Sequence, residues 1–95
     1  MQIEITDERH GPLGQYHLMV DGAEVGELDH RTVDGVRTFT HTGVRPAYED
    51  NGLGAQLVRR GLDDARTEGL KVIPQCSFVA AYLRDHPEDA DLIAG

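Results

Sequence analysis

The segment Glu49-Asp50-Asn51-Gly52-Leu53-Gly54-Ala55 stands between a β-rich run and a run with helical period. Glycines at such a junction let the backbone approach a ligand without interference from a Cβ. The first turn of the following helix leaves N–H groups unpaired at the positive end of the helix dipole. Together these features describe an anion site suited to a phosphate or pyrophosphate. Two better-known loops are excluded. A dinucleotide fingerprint needs a third glycine where Leu57 stands, and a Walker loop needs a Gly-Lys-Ser/Thr run that is absent. A β-to-α turn that merely contains glycines fits the same residues.

Two further side chains have reactive chemistry near this segment. His41 lies in the strand that precedes the loop. With an ordinary pKa of about 6.5, an imidazole can accept a proton near neutrality. Cys76 falls just ahead of a helix that starts near Ser77. A helix N-terminus lowers a thiol pKa and raises its thiolate fraction, which makes a nucleophile. Each residue also has a plain structural reading: a hydrogen-bonded histidine in a packed strand, and a buried, inert cysteine.

The elements that must position these residues can be read from hydrophobic period. Residues 2–6 form a strand and residues 7–14 a connection punctuated by Gly11 and Pro12. Residues 15–20 and 23–29 are strands joined by Asp21-Gly22, a pair suited to a tight hairpin turn. After Val33-Asp34-Gly35, residues 36–44 read as a strand. Val36, Thr38, Thr40, Thr42 and Val44 fall on one face, Phe39 and His41 on the other. The period then changes. Leu53, Leu57, Val58, Leu62 and Ala65 make a helical stripe that Gly69 closes. Residues 70–73 are a short strand stopped by Pro74. Residues 77–86 form a second helix, with Ser77 as its cap and Pro87 as its end. The tail from Glu88 to Gly95 is acidic and expected to be loosely held. The expected fold is α+β: an antiparallel meander followed by α-β-α, a mixed sheet with helices against it.

Composition bounds the function. The chain has 95 residues, the length of one domain (1–95), and a formal charge of −8. That field repels a phosphate backbone and an anionic bilayer, so neither nucleic acid nor membrane is an expected partner. One cysteine cannot form an internal disulfide, and the N-terminus lacks the basic and apolar regions of a signal peptide. A cytoplasmic location is the expectation. The five histidines are scattered without metal-site spacing, so no metal is expected.

Four segments taken jointly carry a resemblance. Thr40-His41-Thr42-Gly43-Val44, Asn51 to Val58, Gly69 to Val79, and Tyr82-Leu83 with His86-Pro87 resemble the short Yjdj-type branch of the GNAT superfamily of N-acetyltransferases. The likeness covers most of the chain and is strongest from Phe39 to Pro87.

The resemblance implies a truncated GNAT-like fold that binds acetyl-CoA as co-substrate and transfers its acetyl group to an amine. It implies a pyrophosphate held by the loop Gln/Arg-x-x-Gly-x-Gly/Ala, whose spacing residues 49–54 carry with Glu49 at the first position. The cofactor-binding set is then Val44, Asn51, Gly52, Leu53, Gly54, Ala55 and Phe78. Phe78 is a core residue or a wall against the pantetheine arm. The catalytic set is His41, Cys76 and Tyr82, where Tyr82 would protonate the leaving thiolate or else pack in the core. Arg45, Arg59 or Arg60 would offset the two loop carboxylates. The branch usually has an acidic residue where Gly43 stands. Larger members carry helices between the first two strands that help build the acceptor site. Here only the 7–14 connection is present, so the acceptor is expected to be a basic protein or peptide, with closure by a homodimer as the competing reading. A non-catalytic acyl-CoA-binding or interaction module is the alternative function.

Overall fold

The computed structural model describes residues 1–95. Four strands, β1 (Ile3–His10), β2 (Leu13–Val20), β3 (Ala23–Val33) and β4 (Val36–Val44), form an antiparallel meander. A 3-10 turn (Pro46–Asn51) leads into helix α1 (Leu53–Thr67). Strand β5 (Lys71–Pro74) then pairs parallel to β4, and α2 (Ser77–Asp85) and a second 3-10 turn (Pro87–Leu92) complete the chain. The sheet order is β1-β2-β3-β4-β5. The expected α+β architecture is therefore the observed one. The first connection is shorter than the sequence implies. β1 runs on to His10, so the expected 7–14 link reduces to Gly11-Pro12.

The meander follows from turn chemistry. Asp21 and Gly22 have φ of 50° and 86°, and Asp34 and Gly35 have φ of 52° and 78°. Both pairs thus meet the positive-φ demand of tight hairpins, whose twist matches that of the strands. The helix face of the sheet carries Tyr16, Leu18, Leu28 and Phe39, each fully buried against Leu53, Leu57, Val58 and Leu62 of α1. A Cβ on Gly61 would stand 3.0 Å from both Leu28 and Phe39, so this glycine sets how closely α1 approaches the sheet. α1 ends as expected at Gly69. Leu70 N–H donates to Ala65 C=O at 2.9 Å and Gly69 N–H to Arg66 C=O at 3.1 Å, the paired bonds of a Schellman cap.

The expected faces of β4 need correction. Asp29 pairs with His41 and the next residue, His30, pairs with Phe39, so Thr40 is an extra residue in the ladder. This β-bulge inverts the alternation beyond it. Phe39, opposite His30, points into the core; Thr42, opposite Leu28, shares that face; His41 lies on the other face and is exposed.

The tail also departs from expectation. Asp89 is buried, accepting from Arg59 Nη1 at 2.6 Å and from Arg66 Nη2 at 3.2 Å. Leu92 packs into the core, Ile93 bridges Val72 of β5, and Ala94 N–H donates to Val72 C=O at 2.8 Å. A carboxylate and a leucine at the right offsets fix the segment despite its acidic composition.

One cluster ties the first strand to the far end of α1. Glu68 accepts from Arg9 at 2.8 and 2.9 Å and from Arg37 at 3.0 and 3.1 Å. Arg37 is 2% exposed and has Glu68 as its charge partner, whose own side chain keeps 32% of its surface in solvent. Hydrogen bonds from Arg9, then Arg37, depress the Glu68 pKa from an ordinary 4.5 to about 2. A carboxylate depressed on folding adds stability that is complete above its unfolded pKa and lost as pH falls toward its folded pKa. Glu68→Gln should cost about 2 kcal/mol near neutrality, since one charged partner is lost. In thermal melts, the gap between wild type and variant should close as pH falls from 4.5 to about 2. A gap independent of pH would contradict the clamp.

Candidate active site

The site begins where two strands part. β4 and β5 pair from Val36–Lys71 to Phe39–Pro74 and no further. Pro74 brings no N–H, and Cys76 N–H makes the last bond, to Phe39 C=O at 2.9 Å. The chain then turns into α2. Residues 40–44 of β4 are left with no strand partner on that side. The opening is a groove of about 490 Å³ lined by Thr42, Gly43 and Val44 on one wall. Glu49, Gly52, Gly54, Ala55 and Phe78 form the rest.

The loop sits at one end of this groove. Gly52 has φ 70° and ψ 12°, closing the 3-10 turn and opening α1 in one residue. Glycine takes this left-handed conformation without the cost that a Cβ would add. The first helical bond is Gln56 N–H to Gly52 C=O at 3.2 Å, so the amides of Leu53, Gly54 and Ala55 precede the ladder. Gly54 has a second function. A Cβ there would stand 2.9 Å from the Phe78 ring, so its absence lets α2 close onto α1. The Leu53 side chain is fully buried in the core, leaving its amide as the part at the loop. Asn51 is exposed and does not line the groove.

The expected charge compensation is mostly absent. Arg59 is held by Asp63 and Asp89, and Arg60 by Asp64 at 3.0 Å and by the Ile5 C=O at 3.2 Å. Arg45 makes no ion pair, while Glu49 faces into the groove. A carboxylate therefore stands beside the free amides.

Cys76 occupies the N-cap position of α2, with φ −72° and ψ 131°. The sequence expectation of Ser77 as cap is off by one residue, because Ser77 already has a place in the helix. The Cys76 Sγ lies 3.3 Å from the Oγ1 of Thr42, which lines the groove, while Cys76 itself is not a lining residue. Burial pushes the thiol pKa up. The Thr42 hydroxyl and the amides of Val79, Phe78 and Thr42 outweigh it, and the net shift is downward.

His41 is not beside Cys76. The bulge at Thr40 sets Thr42 toward the helices and His41 toward the open face. There His41 Nε2 lies 3.5 Å from Glu27 Oε1 in a second cavity of about 470 Å³. The two cavities share Gly43 and Val44, so β4 is a wall with one reactive group on each side. Tyr82 is with neither. Its ring stacks on His86 at 3.8 Å, its hydroxyl is 3.5 Å from Arg59, and it lines a third surface with Ala55 and Gln56. Thr42 and Glu27 were not singled out from the sequence. No local pattern marks a threonine or glutamate whose importance comes from cross-strand register.

A family model described as GCN5-related N-acetyl-transferase matches residues 15–92. The chain belongs to this family. No curated protein gives a significant match. Among solved structures, a GCN5-like protein from Staphylococcus aureus is similar to this GCN5-related chain, with 26% identity and a TM-score of 0.72. That likeness covers 97% of this chain and 88% of the other. The ribosomal-protein-S18-alanine N-acetyltransferase of Escherichia coli shares the fold at 18% identity and a TM-score of 0.67. It covers 81% of this chain, and this chain spans about half, 52%, of the E. coli enzyme. A GNAT family acetyltransferase from Elizabethkingia anophelis, with acetyl-CoA bound, shares the fold at 14% identity and a TM-score of 0.68. That likeness covers 87% of this chain and 72% of the other.

The environment of Cys76 sets an expectation for its reactivity. Alkylation by iodoacetamide should have its midpoint below the ordinary thiol value of 9.0. Thr42→Val should move the midpoint upward, because the hydroxyl that favours the thiolate is gone. Identical profiles for the two proteins would show that Thr42 does not tune the thiol.

Proposed function

We propose that this protein is an acetyl-CoA-dependent N-acetyltransferase of the short Yjdj-type branch, acting on an amine of a protein or peptide. The observation that carries this reading is the parting of β4 and β5 into a groove that ends at Gly52 and the free amides of α1. Near-complete mutual coverage with the S. aureus protein supports the short branch.

The residues present suit acetyl-CoA. The amides of Leu53, Gly54 and Ala55 would face its pyrophosphate. The unpaired edge of β4 at Thr42–Val44 offers backbone groups to an extended, amide-bearing arm, as a further strand would. Phe78, 45% exposed on the opposite wall, gives that arm an apolar surface. Acetyl-CoA supplies a thioester carbonyl.

Two routes use this chain's own groups. In one, the Cys76 thiolate bonds to the acetyl carbon as the thioester C–S bond breaks. An amine then displaces the thiol. In the other, His41 takes a proton from the amine, which attacks the thioester directly. Tyr82, stacked on His86 and 3.5 Å from Arg59, links α2 to α1 and lines neither the groove nor the His41 cavity.

The short Gly11-Pro12 hairpin leaves the sheet face opposite the helices open, which supports a large acceptor that brings its own surface. The charge of −8 favours a basic one. The alternative, a non-catalytic acyl-CoA-binding module, draws support from Glu49, whose carboxylate opposes a bound pyrophosphate.

Binding is testable by melting. At about 100 times its dissociation constant, acetyl-CoA should add roughly 2.7 kcal/mol of stability. Gly52→Val should abolish the shift, and Glu49→Gln should enlarge it, most at low salt. An unchanged melt at millimolar acetyl-CoA counts against the reading. The routes separate by mass. A one-acetyl increase on incubation with acetyl-CoA, lost in Cys76→Ala, marks the thiol route. Turnover lost in His41→Ala with no acetylated protein marks direct transfer. Wild-type turnover by both variants would exclude both residues.

A further inference from the structure

The second half of β1, Asp7 to His10, is held by ionisable side chains on both faces of the sheet. Alternate residues of a strand point to opposite faces. Asp7, paired with the buried Tyr16, and Arg9, bound to Glu68, lie on the helix side. Glu8 and His10 lie on the open side.

On the open side, His17 of β2 stands between two carboxylates. Its Nε2 is 2.9 Å from Glu8 Oε1, and its Nδ1 contacts Glu24 Oε1. Ionised carboxylates only accept, so both ring nitrogens donate, and only the imidazolium has two N–H groups. Glu8 meets a second imidazole on its other oxygen, His10 Nε2 at 3.0 Å. One protonated ring thus joins Glu24 of β3 to Glu8 of β1 across β2. Of the other charges on this side, Glu27 lies opposite His17 on β3 and engages His41 of β4. Arg45 lines the adjoining cavity with Glu24.

On the helix side, His30 of β3 also reaches across β2. Its ring occupies the space that a Cβ on Gly14 would fill, and its Nε2 comes to 3.3 Å from Asp7 Oδ1. The side chain is 1% exposed, and Nδ1 is buried with no hydrogen-bond partner. A neutral ring donates from Nε2 to Asp7 and leaves a bare lone pair at Nδ1. A protonated ring would add a buried charge and an orphaned N–H, a larger cost. The neighbours do not offset that cost. Tyr16 and Phe39 flank the ring, at 5.2 and 6.0 Å between ring centres. Arg9 of β1 and Arg37 of β4 contribute like charge, and Asp7 is shared with Arg9 Nε at 2.6 Å. The α1 carboxylates on this side are engaged elsewhere: Asp64 by Tyr16 and Arg60, Glu68 by Arg9 and Arg37.

We propose that the second half of β1 is a pH-gated edge whose two holds need opposite charge states: His17 grips it from the open side as an imidazolium, and His30 from the helix side as a neutral ring. The gate is independent of the acetyl-transfer reading.

The surroundings drive the two rings apart. Hydrogen bonding, first to Glu8, raises the His17 pKa above its ordinary 6.5. Burial lowers that of His30 below the same value. The His17 contribution is complete below pH 6.5 and is lost as pH rises through its folded pKa. The His30 contribution is complete above pH 6.5 and is lost as pH falls through its folded pKa. The grip is therefore firmest near pH 6.5 and loosens to either side through a different residue. Arg9 and Glu68 keep their charges across this range and tether the strand throughout. Loosening uncovers the edge of β2 from Leu13 to Tyr16, a row of backbone groups that β1 otherwise covers.

The test follows amide hydrogen exchange by NMR from about pH 5.5 to about pH 8, each rate divided by the intrinsic rate at that pH. Protection in the ladder between residues 7–10 and 13–16 should peak near pH 6.5 and fall about threefold or more toward both ends. The β3–β4 ladder should keep its protection. His17→Gln should abolish the alkaline fall and retain the acid one. His30→Phe should do the reverse, with His30→Gln as the second variant should the first fail to fold. Ring nitrogen shifts should show His17 titrating above His30. A monotonic profile, or both falls persisting in a folded variant, overturns the gate. So does a His17 that titrates below His30. Equal loss of protection in β1–β2 and β3–β4 marks global unfolding and overturns it too.

Discussion

Everything at the candidate site depends on a parallel strand pair that stops early. Had β5 followed β4 to its end, the edge at Thr42–Val44 would be consumed by backbone hydrogen bonds. Pro74 and the turn into α2 prevent this, and the last bond from Cys76 N–H to Phe39 C=O fixes where the separation begins. The same bond places the thiol. A residue that ends a strand pair and caps a helix must sit at the vertex of the opening, whatever its side chain. The position at the vertex is therefore a consequence of topology, and the sequence supplies a cysteine to it.

Electrostatics refine this picture. The chain has few cations and commits most of them to structure: Arg9 and Arg37 to Glu68, Arg59 and Arg66 to the tail, Arg60 to Asp64. Little positive charge is left for an anionic ligand. An anion at the loop would be met chiefly by backbone amides, whose number is set by helix geometry rather than by side chains. Binding through amides alone is less salt-sensitive and less steered from a distance than binding through lysines and arginines. On the other side of β4 the balance is reversed, and carboxylates dominate the open face.

Much of the fold was legible because its signals are local. Asp21-Gly22 and Asp34-Gly35 demand their turns, the stripe from Leu53 to Ala65 demands a helix, and Gly69 ends it. The loop at Gly52 was legible for the same reason. What escaped the sequence is non-local or a matter of parity. One extra residue at Thr40 reverses every face beyond it, and no propensity marks which strand residue will bulge. The tail reads as loosely held because Asp89 and Asp91 have no partner nearby in sequence. Their partners Arg59 and Arg66 are more than twenty residues away, out of reach of any pattern reading. Glu27 is likewise visible only once the β3–β4 register sets it over Gly43.

The fixed tail has a further effect on how the molecule meets others. A sheet edge is a row of unpaired backbone groups that can template a foreign strand. At β5 that row is occupied from within: Ile93 bridges Val72, Ala94 donates to Val72, and Lys71 Nζ donates to the Asp91 C=O at 2.7 Å. Extension of the sheet from one molecule to the next is closed on this side. The free edge inside the groove is recessed between α1 and α2, where a slender arm fits and a second sheet does not. β1 is the remaining exposed edge, and it carries Glu4, Asp7, Glu8 and Arg9 along its length. Two guarded borders and one narrow notch leave the backbone accessible to small extended ligands and offer little edge for sheet-to-sheet extension.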